Sequence, residues 1–271
     1  MTAAVALPTR TVEKVWGRER LPAPFVGQSG ERIGEIWFEP DPAFPDLLVK
    51  YLFTSEKLSV QVHPSDDNAP PGQRGKEECW LVLDAEPGAG LAIGFRGELE
   101  PEDIRAAALD GSIEELLEWH PARPGDFFYL PAGTVHAIGP GLSLIEIQQN
   151  SDTTYRLFDY GRPRELHLED GIAVAWPGAH PANLRRHVGP RENAALVEGP
   201  KFRLQQVGGA PSDDVLRAFA GRALVIPVEG AVNVAGEEYA AGTCIQVGDL
   251  AEVVFPENGR VLVAQPLGAA N

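Results

Sequence analysis

Short apolar runs separated by turn residues are the feature that most constrains the fold of this chain. Runs such as DLLVKYLF, CWLVLD, LSLIEIQQN and FRLQQV are each bounded by glycine, proline or polar residues. Glycine (29) and proline (24) are too frequent among the 271 residues for a fold of long helices. Many short strands joined by turns are typical of an all-β protein, which is the fold class we predict.

The net charge, the N-terminal stretch, the length of the apolar runs and the number of cysteines disfavour several kinds of partner and location. A net charge of −16 disfavours nucleic acid and anionic membranes, and an anionic substrate would have to meet a local basic cluster. The N-terminal stretch MTAAVALPTRTVEKVWG lacks the basic region of a signal peptide, and no run is long enough to span a bilayer. Cys79 and Cys244 are too few for a disulfide framework, so we expect a cytoplasmic protein.

The run LSVQVHP carries the first candidate metal ligands. Gln61 and His63 are two residues apart, so on a strand both side chains point to the same face. Together they offer one oxygen and one imidazole nitrogen to a metal ion. A single histidine in a strand is more often a hydrogen-bonded interior residue, so this pair by itself leaves both interpretations open.

A second run makes the metal interpretation the stronger one. Gly125–His136 reads GDFFYLPAGTVH, that is glycine, five residues, proline, one residue, glycine, two residues and histidine. This spacing resembles the second motif of the cupin barrels, in which the histidine binds the metal. Gln61 takes the place of the first histidine of the other cupin motif. Glu78, beside the core-like Cys79, is preferred as the acidic ligand over Glu77, which could pair with Lys76 at the surface.

The predicted donor set indicates the kind of ion. Two imidazoles, a carboxylate and a carboxamide oxygen suit Zn²⁺, with manganese, cobalt or iron as alternatives. We expect one ion per chain. Without a thiolate, and with positions left for water, the site resembles a catalytic centre more than a closed structural one.

One segment, at about residues 100–120, departs from the strand pattern. Pro101 and the acids that follow it fit the first turn of a helix that continues as IRAAAL. Ser112, with Glu115 three residues later, has the pattern of a capping box ahead of LLEWH. We therefore predict a small helical insertion within the strands.

The second part of the chain echoes the first. AGTCIQVGDLAEVVF parallels PGDFFYLPAGTVHAI, but Val253 stands where the first run has His136. We predict two domains, a metal-binding catalytic domain at 1–177 and a smaller, degenerate cupin-like β-domain without a metal site at 178–271.

Four strings in order, LSVQVHP, GKEECW, PGDFFYLPAGTVHAIG and QQNSDTTYRLFDYGR, resemble the type I mannose-6-phosphate isomerases in their short bacterial form. The resemblance covers roughly residues 12–176. It implies a cupin (jelly-roll) barrel, zinc dependence, and interconversion of mannose 6-phosphate and fructose 6-phosphate through a cis-enediol. It also assigns the family's active-site arginine to Arg156 and its metal ligands to Gln61, His63, Glu78 and His136.

The same resemblance suggests further site residues. Glu146 stands ten residues before Arg156, where the family has a glutamate proposed to transfer protons. A supporting role, orienting a ligand histidine, is the alternative for Glu146. Ser59, Lys50 and Lys76 match positions near the family's substrate, although each lysine could instead form a solvated surface pair.

Three functions are therefore weighed. The favoured one is a metal-dependent aldose–ketose isomerase acting on a small sugar phosphate. The alternatives are an iron-dependent cupin dioxygenase and a non-catalytic cupin that binds sugar phosphates. Proton-transfer isomerisation needs no redox cofactor, and whether the protein is a monomer or a homodimer is left open.

Overall fold

The computed structural model describes residues 4–27 and 30–268, and most of its ordered elements are antiparallel strands. The first part contains β1 (Val5–Ala6), β2 (Thr9–Arg18), β3 (Ile33–Phe38), β4 (Leu47–Phe53), β5 (Val60–Val62), β6 (Glu78–Ala85), β7 (Gly90–Phe95), α1 (Pro101–Asp110), α2 (Ile113–Leu116), β8 (Leu117–Pro121), β9 (Asp126–Leu130), β10 (His136–Ile138), β11 (Leu142–Gln149), β12 (Tyr155–Phe158) and α3 (Leu168–Val174). None of the described helices is long and apolar enough to cross a membrane.

The second part continues with shorter elements. It contains β13 (Arg185–His187), β14 (Ala194–Glu198), β15 (Phe202–Val207), α4 (Asp213–Ala218), β16 (Ala223–Glu229), β17 (Ala231–Val234), β18 (Glu237–Ala240), β19 (Ile245–Val247), β20 (Val253–Val254) and β21 (Arg260–Pro266). Two 3₁₀ turns lie at Ala182–Leu184 and Leu250–Glu252. The predicted all-β class with a small helical insertion is confirmed.

The first barrel consists of two sheets. A seven-stranded sheet has the order β13-β9-β6-β11-β4-β3-β2, and a five-stranded sheet has the order β12-β5-β10-β7-β8. Apolar side chains of both sheets meet between them, among them Trp80 and Leu144 from the larger sheet and Leu91 and Ile138 from the smaller one. The outer face of the five-stranded sheet is covered by α1, α2 and α3.

The second barrel repeats this arrangement at a smaller scale. Its six-stranded sheet (β1-β19-β16-β21-β15-β14) and three-stranded sheet (β18-β17-β20) enclose a core rich in valine. The echoed run supplies β19 to the larger sheet and β20 to the smaller one, as β9 and β10 do in the first barrel. Val253 begins β20 and is buried in that apolar core, where His136 begins β10.

The seven-stranded sheet lies between the two barrels. Its second face packs against the six-stranded sheet, so that Tyr51 and Ile147 share one apolar cluster with Phe202 and Leu262. Strands are also exchanged, since β1 pairs with β19 and β13 pairs with β9. Division of the chain at 177/178 stays a prediction.

The helical insertion is shorter than predicted. α1 begins at Pro101, but α2 ends at Leu116, and Leu117 and Trp119 pair with β7 as part of β8. The prediction that LLEWH is helical is therefore wrong from Leu117 onward, because strand pairing overrides the local helical pattern. The capping box does not form either, since the backbone N and Oγ of Ser112 both donate to Asp110, at 2.8 and 2.6 Å.

Candidate active site

The four candidate ligands meet inside the first barrel. Gln61 on β5 lies opposite His136 on β10, His63 directly follows β5, and Glu78 begins β6 on the facing sheet. Glu78 Oε1 is 3.4 Å from His136 Nε2, and its Oε2 is 3.6 Å from His63 Nε2. Gln61 Nε2 lies 3.2 Å from His136 Nε2. Three ligand atoms, one each from His63, Glu78 and His136, all lie within 4.8 Å of one another.

Backbone carbonyls fix the tautomers of both histidines. His63 Nδ1 lies 2.9 Å from the carbonyl oxygen of Thr153, and His136 Nδ1 lies 2.9 Å from that of Thr134. A carbonyl only accepts, so each Nδ1 carries the hydrogen and each Nε2 turns its lone pair towards Glu78. Burial lowers the pKa of both rings, that of His63 well below its usual value. Both imidazoles are therefore neutral, the form that binds metals.

The Glu78 carboxylate is buried and lacks normal hydrogen-bond donors. Among the described residues none donates a hydrogen bond of good geometry to either oxygen, although Lys76 Nζ lies 2.7 Å from Oε2 as an ion pair. Burial would raise the pKa of Glu78, but the charge of Lys76 outweighs it and lowers that pKa. An ionised carboxylate facing two nitrogen lone pairs fits a divalent cation, so this buried cluster could bind a metal.

A cleft of about 210 Å³ opens beside the cluster. It reaches the cluster at Gln61 and at Lys76, whose Nζ is 3.1 Å from His63 Nε2. The other residues expected from the sequence to contact substrate or protons all line this cleft: Lys50, Ser59, Glu146 and Arg156. The structure thus brings the whole predicted site together.

Glu146 is held from two sides. Lys50 Nζ lies 3.1 Å from Glu146 Oε1, and Trp80 Nε1 donates to Glu146 Oε2 at 3.1 Å. Lys50 also donates to Gln148 Oε1 at 2.6 Å. These contacts orient the carboxylate towards the cleft it lines.

Neither lysine forms the solvated pair that the sequence left open. Lys50 and Lys76 are each 5% exposed. Lys76 lies 3.9 Å from Glu146 Oε1 as well as beside Glu78. Burial would lower the pKa of Lys76, but these two carboxylates outweigh it and raise that pKa, so the ammonium stays charged.

Arg156 lies on β12, opposite Gln61 on β5, and lines the cleft. Partial burial and the nearby Arg164 lower its pKa from the usual value, and a guanidinium remains charged at neutral pH. Arg164 also lines the cleft, but its guanidinium already donates two hydrogen bonds to Asp159, both at 2.6 Å.

Sequence reasoning missed several residues of the cleft wall. These are Lys14, Glu35, Trp37, Asp152 and Arg164. Glu35 pairs with Lys14 at 3.2 Å and accepts a hydrogen bond from Trp37 Nε1 at 3.0 Å. Strand alternation in GEIWFEP puts Glu35 and Trp37 on one face and could have indicated both.

Curated relatives are found by sequence. The mannose-6-phosphate isomerase ManA of Bacillus subtilis is 46% identical over 140 residues, covering 48% of this chain and 44% of ManA. The mannose-6-phosphate isomerase of Streptococcus mutans is 38% identical over 210 residues, covering 73% of this chain and 65% of that protein. The chain thus spans 44% to 65% of the length of these two relatives. No protein-family profile matches the chain.

Solved structures match over nearly the whole chain. The mannose 6-phosphate isomerase from Bacillus subtilis superposes with a TM-score of 0.74 at 22% identity, covering 97% of this chain and 100% of that one. A variant phosphomannose isomerase from Salmonella typhimurium gives 0.69 at 15% identity, covering 98% and 100%. The fold is therefore that of the phosphomannose isomerases, which confirms the predicted cupin architecture.

Proposed function

Because the chain is a homologue of proteins named mannose-6-phosphate isomerase, we propose that it interconverts mannose 6-phosphate and fructose 6-phosphate. The observation that carries this proposal is a buried carboxylate, Glu146, oriented into a cleft beside a His–Glu–His cluster. Aldose–ketose isomerisation moves a proton between C2 and C1 of the sugar, and an oriented carboxylate is a suitable group to carry it.

His63, Glu78 and His136 would hold one Zn²⁺ per chain, with Gln61 as the fourth protein ligand. Nitrogen and oxygen donors without thiolate suit zinc, and the two Nε2 atoms, which carry no hydrogen, support this assignment. Gln61 would contribute its carboxamide oxygen. A half-turn of the amide group exchanges the positions of this oxygen and Nε2 and so turns the oxygen towards the cluster. When bound, the ion would polarise the sugar oxygens at C1 and C2.

The side chains around the cleft have separate roles in the proposed reaction. Glu146 removes the proton from C2 and returns it to C1. Lys76, held charged between two carboxylates, stabilises the negative charge that develops on the enediol oxygens. Lys50 keeps the Glu146 carboxylate in place, and both Lys50 and Ser59 offer hydrogen bonds to the sugar phosphate.

Arg156 is the group proposed to bind the phosphate. A substrate with two negative charges needs a cation that it can pair with on a chain of net charge −16. The guanidinium supplies a planar fork that matches two phosphate oxygens at once. The burial of Cys79 and Cys244 as free thiols supports the cytoplasm as the place of action.

We expect purified, zinc-loaded protein to produce fructose 6-phosphate from mannose 6-phosphate in a coupled assay. Glucose 6-phosphate serves as the control substrate, since it differs only in the configuration at C2. Oxygen consumption by an iron-loaded form would instead favour the dioxygenase, and binding without turnover would favour the non-catalytic cupin.

Arg156→Lys should lower kcat/KM for mannose 6-phosphate about tenfold or more, because the charge is kept but the bidentate fork is lost. Zinc content should stay at the wild-type level. Arg105→Lys, which alters an arginine paired with Glu169 on the protein surface, is the matched control. A kcat/KM for Arg156→Ala within about twofold of wild type would rule out the assignment.

A further inference from the structure

The segment between His63 and Glu78, residues 64–77, is here called the ligand loop. Its two ends are joined, since Lys76 N donates to the carbonyl oxygen of Pro64 at 2.9 Å and Gly75 N donates to Asp66 Oδ1 at 2.8 Å. A Cβ at Gly75 would collide with the backbone nitrogen of Asp66. The loop is therefore closed at its neck, directly beside Lys76 and Glu78.

Asp66 connects this neck to the strand that begins with Glu78. Both Asp66 oxygens lie 3.2 Å from Gln149 Nε2. Gln149 Oε1 accepts from Glu77 N at 3.0 Å, and Gln149 N donates to the Glu77 carbonyl oxygen at 3.0 Å. The peptide groups on both sides of Glu77 are thus fixed immediately before the candidate ligand Glu78.

The second barrel reaches the loop through Lys201. Lys201 Nζ lies 2.6 Å from Asp66 Oδ2, and both side chains are about one-third exposed. The lysine is well anchored, because its carbonyl oxygen accepts from Leu267 N at 2.8 Å and the next residue, Phe202, is fully buried. This ion pair is therefore tied to the core of the second barrel.

A second contact lies close by. Tyr129 donates a hydrogen bond to the Glu77 carboxylate. The same tyrosine packs edge to face against Phe202, with ring centroids 6.0 Å apart, and leaves no room for a Cβ at Gly199. The second barrel thus contacts Asp66 of the loop directly through Lys201, and it contacts Tyr129, the hydrogen-bond donor to Glu77, through Phe202.

We infer that Lys201 and Asp66 are positioning residues through which the second barrel holds the ligand loop, and with it Lys76 and Glu78, in place. This inference rests on the proposed metal site. It gives the second barrel, which has no metal cluster among its described residues, a part in the reaction. Because the loop is already ordered before binding, the entropic cost of ordering it when metal and substrate bind is smaller.

The test measures zinc affinity and backbone protection in the full-length protein. Zinc affinity is obtained by competition with a chromophoric chelator, and hydrogen exchange is followed at the amides of Gly75 and Glu77. Lys201→Met and Asp66→Asn should each weaken zinc binding about tenfold and speed exchange at both amides. Exchange in β16 and β21 should stay unchanged.

Two further variants control the experiment. Lys201→Arg keeps the charge and should restore most of the zinc affinity, whereas Arg217→Met removes a surface ion pair with Asp214 elsewhere in the second barrel and should have no effect. At saturating zinc, kcat for mannose 6-phosphate should also fall in Lys201→Met and be restored in Lys201→Arg, because Lys76, which stabilises the enediol charge, depends on the loop for its position.

Zinc affinity of Lys201→Met and Asp66→Asn within about twofold of wild type would overturn the inference. Faster exchange throughout both barrels at unchanged zinc affinity would also overturn it, since that would mark a general loss of stability. If the wild-type protein binds no zinc, the proposed metal site fails, while protection of the Gly75 amide still tests whether Lys201 holds the loop.

Discussion

Glu146→Gln should lower kcat by about 10²-fold or more while zinc and mannose 6-phosphate still bind. Glutamine has nearly the shape of glutamate, so the hydrogen bond from Trp80 and the packing of β11 can persist. What is lost is the base that would carry the proton between C2 and C1. Exchange of the substrate's C2 hydrogen with solvent, measured by NMR in deuterated water, should fall in parallel with turnover.

Glu229→Gln is the matched control for Glu146→Gln. Glu229→Gln removes a carboxylate from the second barrel, far along the chain from the cleft residues, and should leave both rates unchanged. If Glu146→Gln exchanges the C2 hydrogen at the wild-type rate, Glu146 only orients its neighbours and another group is the base.

His136→Ala should remove both the bound ion and the activity. Loss of one of the two imidazole nitrogens leaves Glu78, a single Nε2 and the weak carboxamide donor of Gln61, a donor set too weak to retain zinc. Metal content by mass spectrometry should fall from about one ion per chain to near zero, and activity should drop below detection. His63→Ala should behave in the same way.

His120→Ala is the matched control, because His120 is hydrogen-bonded by Arg185 away from the cluster. It should keep its zinc and its turnover. A metal-free His136→Ala protein with wild-type activity would show that the reaction does not depend on this cluster.

Much of the site can be predicted from local sequence, because successive side chains of a strand point to opposite faces of the sheet. In LSVQVHP this rule alone places Gln61 and His63 on one face. It also separates neighbours, and in the structure Glu78 faces the histidines whereas Glu77 faces Tyr129. The turn formed by Pro131 and Gly133 then brings β10, and with it His136, to the same end of the barrel.

Other features could not be read from local sequence because they depend on contacts between distant segments. LLEWH has a helical pattern, yet Leu117 and Trp119 form part of β8, which pairs antiparallel with β7. Lys14 and Arg164 enter the cleft from segments whose own patterns show no site. The pair of Lys201 with Asp66 joins residues of different barrels, and such a contact is set by how two sheets pack.

The position of β11 has a consequence for how homologous chains can vary in length. Along this strand Ile145 and Ile147 enter the core shared with the second barrel, while Glu146 and Gln148 face the cleft side. An insertion or deletion of one residue would turn every later side chain to the opposite face. Isoleucine would then meet Lys50, and a carboxylate would enter an apolar core. A gain or loss of a residue between Ile145 and Gln148 is therefore disfavoured, and changes in length are expected in the connections or at a bulge such as that between Ser143 and Leu144, where β11 pairs with β6.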